Sequence, residues 1–237
     1  MANLCVLILC GLAFQVVHTT GQRQAELPTI DAELPLRLGD EKKAPRTWPN
    51  AKVPYKISSA VVDTDKIRLI DRVIRDIEDN TCIRFTNRRF EDEYMNIQTD
   101  RMACSAQVGV QTGINQLNLA DSCWNYPTIA HMVLHVLGLY HENNRADRDD
   151  YVEINAENLR GLNARKFEKI PANQFPVLDT PYDLNSITHF PNKIYGIKQS
   201  GSRDWTIQAK RNPSQQLGGN RITANDYRKL KKLYRCQ

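Results

Sequence analysis

No two cysteines of this sequence stand at CxxC spacing, which argues against a zinc ribbon and against a dithiol redox motif. Past Val17 no apolar run is long enough to cross a bilayer, so a membrane-spanning segment is not expected. There is no internal repeat and no low-complexity tract, hence no repeated array. Basic residues exceed acidic ones by only five over 237 positions and are scattered, with no Gly-rich loop or interleaved aromatics, so nucleic acid is not an expected partner. Histidine is scarce too, five in all, and this scarcity makes its placement informative.

The first segment, "MANLCVLILCGLAFQVVHTTGQ", is uncharged from Leu4 to Val17, the length of a signal-peptide core, and residues 1–21 read as a secretory signal ending at Gly21. Export places the chain in an oxidising compartment. Cys5 and Cys10 leave with the signal, and the remaining Cys82, Cys104, Cys123 and Cys236 imply two disulfides, with three pairings open. Residues 22–45 are rich in Pro and charge without a sustained period, and read as a short pro-segment or flexible lead-in.

From there the hydrophobic pattern predicts elements. "KVPYKIS" alternates as a strand. Ile67, Ile70, Val73, Ile74 and Ile77 recur at helical spacing after a cap at Asp63 or Thr64. "CIRF", "YMNIQ", "AQVGV" and "NQLNL" read as strands of a small twisted sheet. The segment after the central helix is irregular. "TANDYRKLKKLYRC" predicts a last helix with Tyr227, Leu230, Leu233 and Tyr234 inward, and with Arg228, Lys229, Lys231, Lys232 and Arg235 on a solvated face. In "RADRDDY", Arg145 and Arg148 beside Asp147, Asp149 and Asp150 predict local ion pairs rather than a calcium loop, which needs uncompensated oxygens.

Apart from His18, the histidines are His131, His135 and His141 in "HMVLHVLGLYH", and His189. His131 and His135 are four apart, so on a helix both imidazoles project from one face. Gly138 can adopt the left-handed conformation that ends a helix and turns the chain, bringing His141 to the same point. Three neutral imidazoles with a fourth position free describe a zinc site of the catalytic kind, holding one ion.

The string HxxxHxxGxxH resembles the zinc signature of the metzincins, and "HENNRADRDDYV" is similar to the continuation found in astacins. "TWPNAKVPY", "NTCIRF" and "YDLNSITHF" resemble, in the right order, the start of an astacin domain, its first cysteine segment and its Met-turn. The chain is thereby identified as resembling the astacin zinc metalloendopeptidases over residues 46–237. The resemblance implies an α+β, two-lobed zincin-like fold: an N-terminal twisted mixed sheet with helices, a long zinc helix, and an irregular C-terminal lobe closed by a helix. It also implies the disulfides Cys82–Cys236 and Cys104–Cys123, and a cleft in which an extended peptide pairs with the sheet edge. Glu142 would receive a new chain terminus after activation, and Ser186, Thr188 and His189 would form the Met-turn. Asp40 in "LGD" matches either a latency aspartate or part of the mature N-terminus, and its closeness to "TWPNAKVPY" favours the second.

Three positions depart from the family pattern. Met132 stands where the family has the general-base glutamate, Phe190 where it has a tyrosine that steadies the oxyanion, and Thr188 where it has the Met-turn methionine. A thioether neither takes nor gives a proton at neutral pH, and a phenyl ring has no hydroxyl to donate. The expectation is therefore a secreted, monomeric, zinc-binding homologue with impaired or absent catalysis, whose partner is a peptide or protein and neither nucleic acid nor membrane. The alternative is an active zinc endopeptidase that uses an unusual base.

Overall fold

The computed structural model describes residues 44–99, 103–159, 162–175, 179–196 and 204–237. The expected signal, most of the lead-in and Asp40 lie outside them.

β1 (Lys52–Ile57), β2 (Arg84–Asn87), β3 (Tyr94–Thr99), β4 (Ser105–Ala106) and β5 (Ile114–Leu119) form one mixed sheet in the order β2-β1-β3-β5-β4. The first three pairings are parallel, with Val53 opposite Phe85 and Ile97 opposite both Ile57 and Leu117. β4 runs antiparallel to β5 and forms an edge of the sheet. Parallel neighbours need a crossover, and α1 (Thr64–Asn80) supplies it between β1 and β2. Asp63 rather than Thr64 caps α1, accepting from the amides of Asp65 and Lys66. Ile70, Val73, Ile74 and Ile77 are buried, as their period requires.

Of the expected strand "AQVGV" only Ala106 is in a strand, together with Ser105 in β4. The cause lies at Gly109, which has φ +69° and packs against the chain that enters the domain: a Cβ there would meet the Arg46 carbonyl oxygen at 2.7 Å. The neighbouring Val110 amide donates to that same Arg46 carbonyl, so the backbone leaves the β5 ladder to hold the entering segment.

α2 (Tyr126–Val136) is the central helix, α3 (Leu162–Arg165) a single turn, and α4 (Ala224–Leu233) the last helix. β6 (Val152–Ile154) and β7 (Ile207–Ala209) form a separate antiparallel ribbon. The apolar interior divides accordingly. One cluster joins α1, the large sheet, α2 and Leu230 of α4, while a second gathers Val152, Leu159, Phe167, Tyr182, Phe190, Ile207, Ala209 and Leu217. This is the expected α+β architecture, with an ordered N-terminal half and an irregular C-terminal one.

Two disulfides close the fold, Cys82–Cys236 with Cα atoms 5.4 Å apart and Cys104–Cys123 with Cα atoms 6.1 Å apart. The first ties the segment after α1 to the segment after α4 across 154 positions of sequence. A cross-link of that span removes much of the unfolded chain's freedom. Replacing Cys82 and Cys236 together by alanine should lower the stability of the oxidised protein by roughly 2–5 kcal/mol, read from its denaturant midpoint. An unchanged midpoint would mean that the packing of α1 and α4 suffices without the bridge.

Candidate metal centre

α2 begins where Asn125 caps it by accepting from the Thr128 amide, with Pro127 in its first turn. Every residue from Thr128 to Val136 is buried, so the helix is enclosed on all sides and its two histidines face protein rather than solvent. The helix ends as expected at Gly138, with φ +102°. That turn sends the Gly138 amide to the His135 carbonyl and the Leu139 amide to the Leu134 carbonyl, and carries the chain on to His141.

The three imidazoles converge. Nε2 of His131 and Nε2 of His135 are 2.8 Å apart, and each lies 3.2 Å from Nε2 of His141. The other nitrogen of His131 donates to the Ile187 carbonyl at 2.7 Å, and that of His135 to the Leu139 carbonyl at 2.6 Å. A carbonyl only accepts, so both Nδ1 atoms carry the proton and both Nε2 atoms are bare. Burial holds His131 down to about 4 and His135 to about 3, the latter helped by its neighbour His131, and it holds His141 well below the ordinary imidazole range. The rings are thus neutral at pH 7, with at least two lone pairs aimed at a common point and at most one proton to share among them.

Such an arrangement leaves lone pairs opposed unless a cation occupies the centre. Tetrahedral zinc with Zn–N bonds of about 2.0–2.1 Å spaces its nitrogen ligands roughly 3.3 Å apart, close to the observed separations. The residues present fit one zinc ion held by His131, His135 and His141. Among the described residues these three form the one metal-ligating cluster, and no carboxylate belongs to it.

Met132 is fully buried in the apolar cluster of the larger lobe. Phe190 packs its ring 4.4 Å from that of His141 and against Phe167 and Tyr195, so hydrocarbon lies beside the metal ligand. Thr188 is buried, its carbonyl accepts from the Glu142 amide, and Ser186 Oγ lies 3.0 Å from its hydroxyl, so that hydroxyl is not left unsatisfied. His189 points into the second lobe, where Tyr182 donates to its Nε2 at 2.9 Å.

Glu142 follows the third ligand directly, but its carboxylate is engaged elsewhere. Lys229 Nζ approaches one oxygen at 2.6 Å, while Arg145 and the Asp183 amide donate to the other at 3.3 and 2.9 Å. Burial pushes the Glu142 carboxyl upward, and the two cations oppose that push. The chain terminus expected to meet Glu142 would come from residues outside the described ones. Lys229, expected on the solvated face of α4, is instead 2% exposed. It shares a helix stripe with Asp226, three positions earlier, and that stripe packs on the 183–188 segment rather than facing water. The expected ion pairs of "RADRDDY" are present, Arg145 with Asp147 and Arg148 with Asp149.

Four buried histidines, the triad and His189, resist protonation in the fold. Unfolded, each would take a proton below about 6.5. The unfolded state then binds more protons, so stability present above that value falls as the pH drops toward the depressed folded values, with Glu142 opposing in part. Metal-free protein should therefore show a denaturant midpoint that declines steadily between about pH 7 and about pH 4.5. A flat profile would contradict the burial of neutral rings.

Residues 40–235 match the model of the astacin peptidase family. The chain is similar to embryonic protein UVS.2 of Xenopus laevis, 34% identical over 196 residues that span 80% of this chain and 36% of that protein. It is also similar to zinc metalloproteinase nas-6 of Caenorhabditis elegans, 28% identical over 228 residues, 93% of this chain and 64% of that one. It thus spans between about a third and two thirds of these curated relatives. Its structure superposes on that of high choriolytic enzyme 1, a hatching enzyme zinc-protease from Oryzias latipes, with a TM-score of 0.73 at 29% identity, covering 82% of this chain and 95% of that one. With this match over most of its length, and with three buried imidazoles set for zinc, the chain belongs to the astacin family of zinc metalloproteases.

Proposed function

We propose that this protein is a secreted astacin homologue that holds zinc and binds peptide but does not hydrolyse it. The observation that carries the reading is the composition of the metal centre: three neutral imidazoles converge, and the side chain next to His131 is the buried thioether of Met132. Zinc bound there supplies a Lewis acid and acidifies its water. Peptide hydrolysis further requires a group that removes a proton from that water and returns it to the leaving amine. Met132 has no basic atom for the first step and no proton for the second.

Neither Glu142 nor Phe190 supplies the missing functions. Glu142 is the adjacent carboxylate, and its two oxygens are committed to Lys229, Arg145 and the Asp183 amide. Phe190 presents a ring edge or face where an oxyanion donor would be needed. Loss of a general acid/base costs about 10²–10⁴ in rate, and loss of one oxyanion donor about 10²–10³. The larger of these figures would leave little turnover, and losses within one catalytic unit add incompletely.

Export is supported by the signal-like residues 1–21 and by two disulfides, which persist in oxidising compartments. No helix among the described residues is long and apolar enough to cross a membrane. We assign residues 46–237 to the metallopeptidase-like domain and 22–45 to the lead-in, and expect a monomer whose ligand is an extended peptide or protein segment.

Restoration tests the reading. The double substitution Met132→Glu and Phe190→Tyr should yield a protein that cleaves casein or a broad peptide library and is silenced by a zinc chelator, while the natural sequence, equally loaded with zinc, leaves the same substrates intact. Brisk chelator-sensitive cleavage by the natural protein would overturn the proposal in favour of an unusual base.

A further inference from the structure

We infer that α4 aims two of the three metal ligands, with Asp226 and Lys229 as positioning residues for the metal. This goes beyond the proposed loss of hydrolysis and does not depend on it.

The three ligands are not oriented by the same means. His135 is oriented locally, since its Nδ1–H meets the Leu139 carbonyl just beyond the end of its own helix. His131 depends on the remote Ile187 carbonyl, 56 positions later in the chain. The segment that carries this carbonyl is held in turn by α4. Asp226 accepts from Ser186 Oγ at 2.6 Å through one oxygen, and from the Ile187 amide at 3.1 Å through the other. The same carboxylate accepts from the Thr223 amide at 3.1 Å and so also caps its own helix. Ser186 Oγ gives its only proton to Asp226 and accepts from the Thr188 amide at 3.1 Å. The turn from 186 to 188 is thereby fixed at both backbone amides, and the carbonyl that aims His131 has little freedom to rotate.

The second route runs from Lys229, three positions on. Its ammonium lies 2.6 Å from Glu142 and 3.6 Å from Asp226. Glu142 is bonded directly to His141, and its own amide donates to the Thr188 carbonyl at 3.3 Å. Pulling the Glu142 side chain toward α4 therefore fixes the backbone from which His141 projects. Asp226, Glu142, Lys229 and Arg145 are each at most 2% exposed, and their two negative and two positive charges balance. Removing one of them leaves a buried charge without compensation, which the surroundings must relieve by moving. Here the surroundings are the backbone next to two metal ligands. Groups that orient a ligand in this way typically change metal affinity about 10–100-fold when altered.

The test compares the full natural chain with Asp226→Asn, Ser186→Ala, Lys229→Met and Lys229→Arg, and with Lys232→Ala on the exposed face of the same helix as control. Zinc affinity is measured by competition with a chromophoric chelator, and ligand geometry by the visible absorption of the cobalt(II)-substituted proteins. Asp226→Asn, Ser186→Ala and Lys229→Met should each weaken zinc binding about 10–100-fold and alter the cobalt bands, Lys229→Arg should recover most of the affinity, and Lys232→Ala should match the natural chain. Ser186→Ala leaves all four charges in place, so it keeps the comparison open if a charge variant does not fold. Lowered denaturation midpoints with unchanged zinc affinity and unchanged cobalt spectra would reduce α4 to a structural support and overturn the inference. A natural chain that binds neither metal would bring down the metal centre and this inference together.

Discussion

Three ring nitrogens within about hydrogen-bond distance of one another, two of them bare, are a liability in any protein interior. Backbone carbonyls claim the protons of His131 and His135 on the far side of their rings, and the single proton of a neutral third ring cannot satisfy both lone pairs. Burial suppresses protonation of the rings, so a cation at the centre is the way to lower the energy of the arrangement. Everything around the site serves to keep these rings buried, neutral and convergent. The apolar character of α2, the left-handed turn at Gly138 and the hydrogen bonds of Asp226 to Ser186 and Ile187 all serve that end.

The same demand explains how ligands and catalytic groups can part company. A metal ligand is enforced by the fold: its ring is packed, its orientation is set by neighbouring backbone, and its replacement would leave the remaining imidazoles converging on nothing. A general base is not enforced in this way. Position 132 sits in the apolar cluster of the larger lobe, where a methionine satisfies packing without any polar partner. A carboxylate there would need the metal-bound water to offset its desolvation, so its presence reflects chemistry rather than folding. Phe190 is comparable: the ring fills the space beside His141 and joins Phe167 and Tyr195, while the hydroxyl it lacks contributes nothing to that packing. Loss of hydrolysis with retention of zinc is thus a physically coherent pair of states.

Much of the architecture was legible along the chain because it follows short-range rules. The isoleucine stripe of α1, the paired histidines of α2 and the alternation of β1, β3 and β5 each express a periodicity that fits one backbone geometry. The disulfide pairing followed from the family resemblance, not from spacing, and both bridges form as that resemblance implied. Where local reading failed, a distant partner intervened. "AQVGV" alternates like a strand, yet Gly109 leaves the sheet to pack against Arg46, more than sixty positions upstream. Lys229 lies among other basic residues on α4 and reads as solvated, yet it is drawn inward by Glu142, 87 positions away. One signal was present, since Thr223 and Asp226 stand at capping-box spacing before the basic run, but a cap alone does not reveal that its carboxylate also holds Ser186 and Ile187.

The sequence by itself determined the ligand set, the helix that carries two of the ligands, the turn that returns the third, and the thioether of Met132 beside them, because residue identity and spacing within eleven positions settle all four. Tertiary structure alone decided which carbonyl aims His131 and which cation neutralises Glu142. Those outcomes depend on groups tens of residues apart meeting in a buried space, where the low dielectric makes every unpaired charge and lone pair costly. Periodicity cannot encode such meetings, and only the closed fold brings them about.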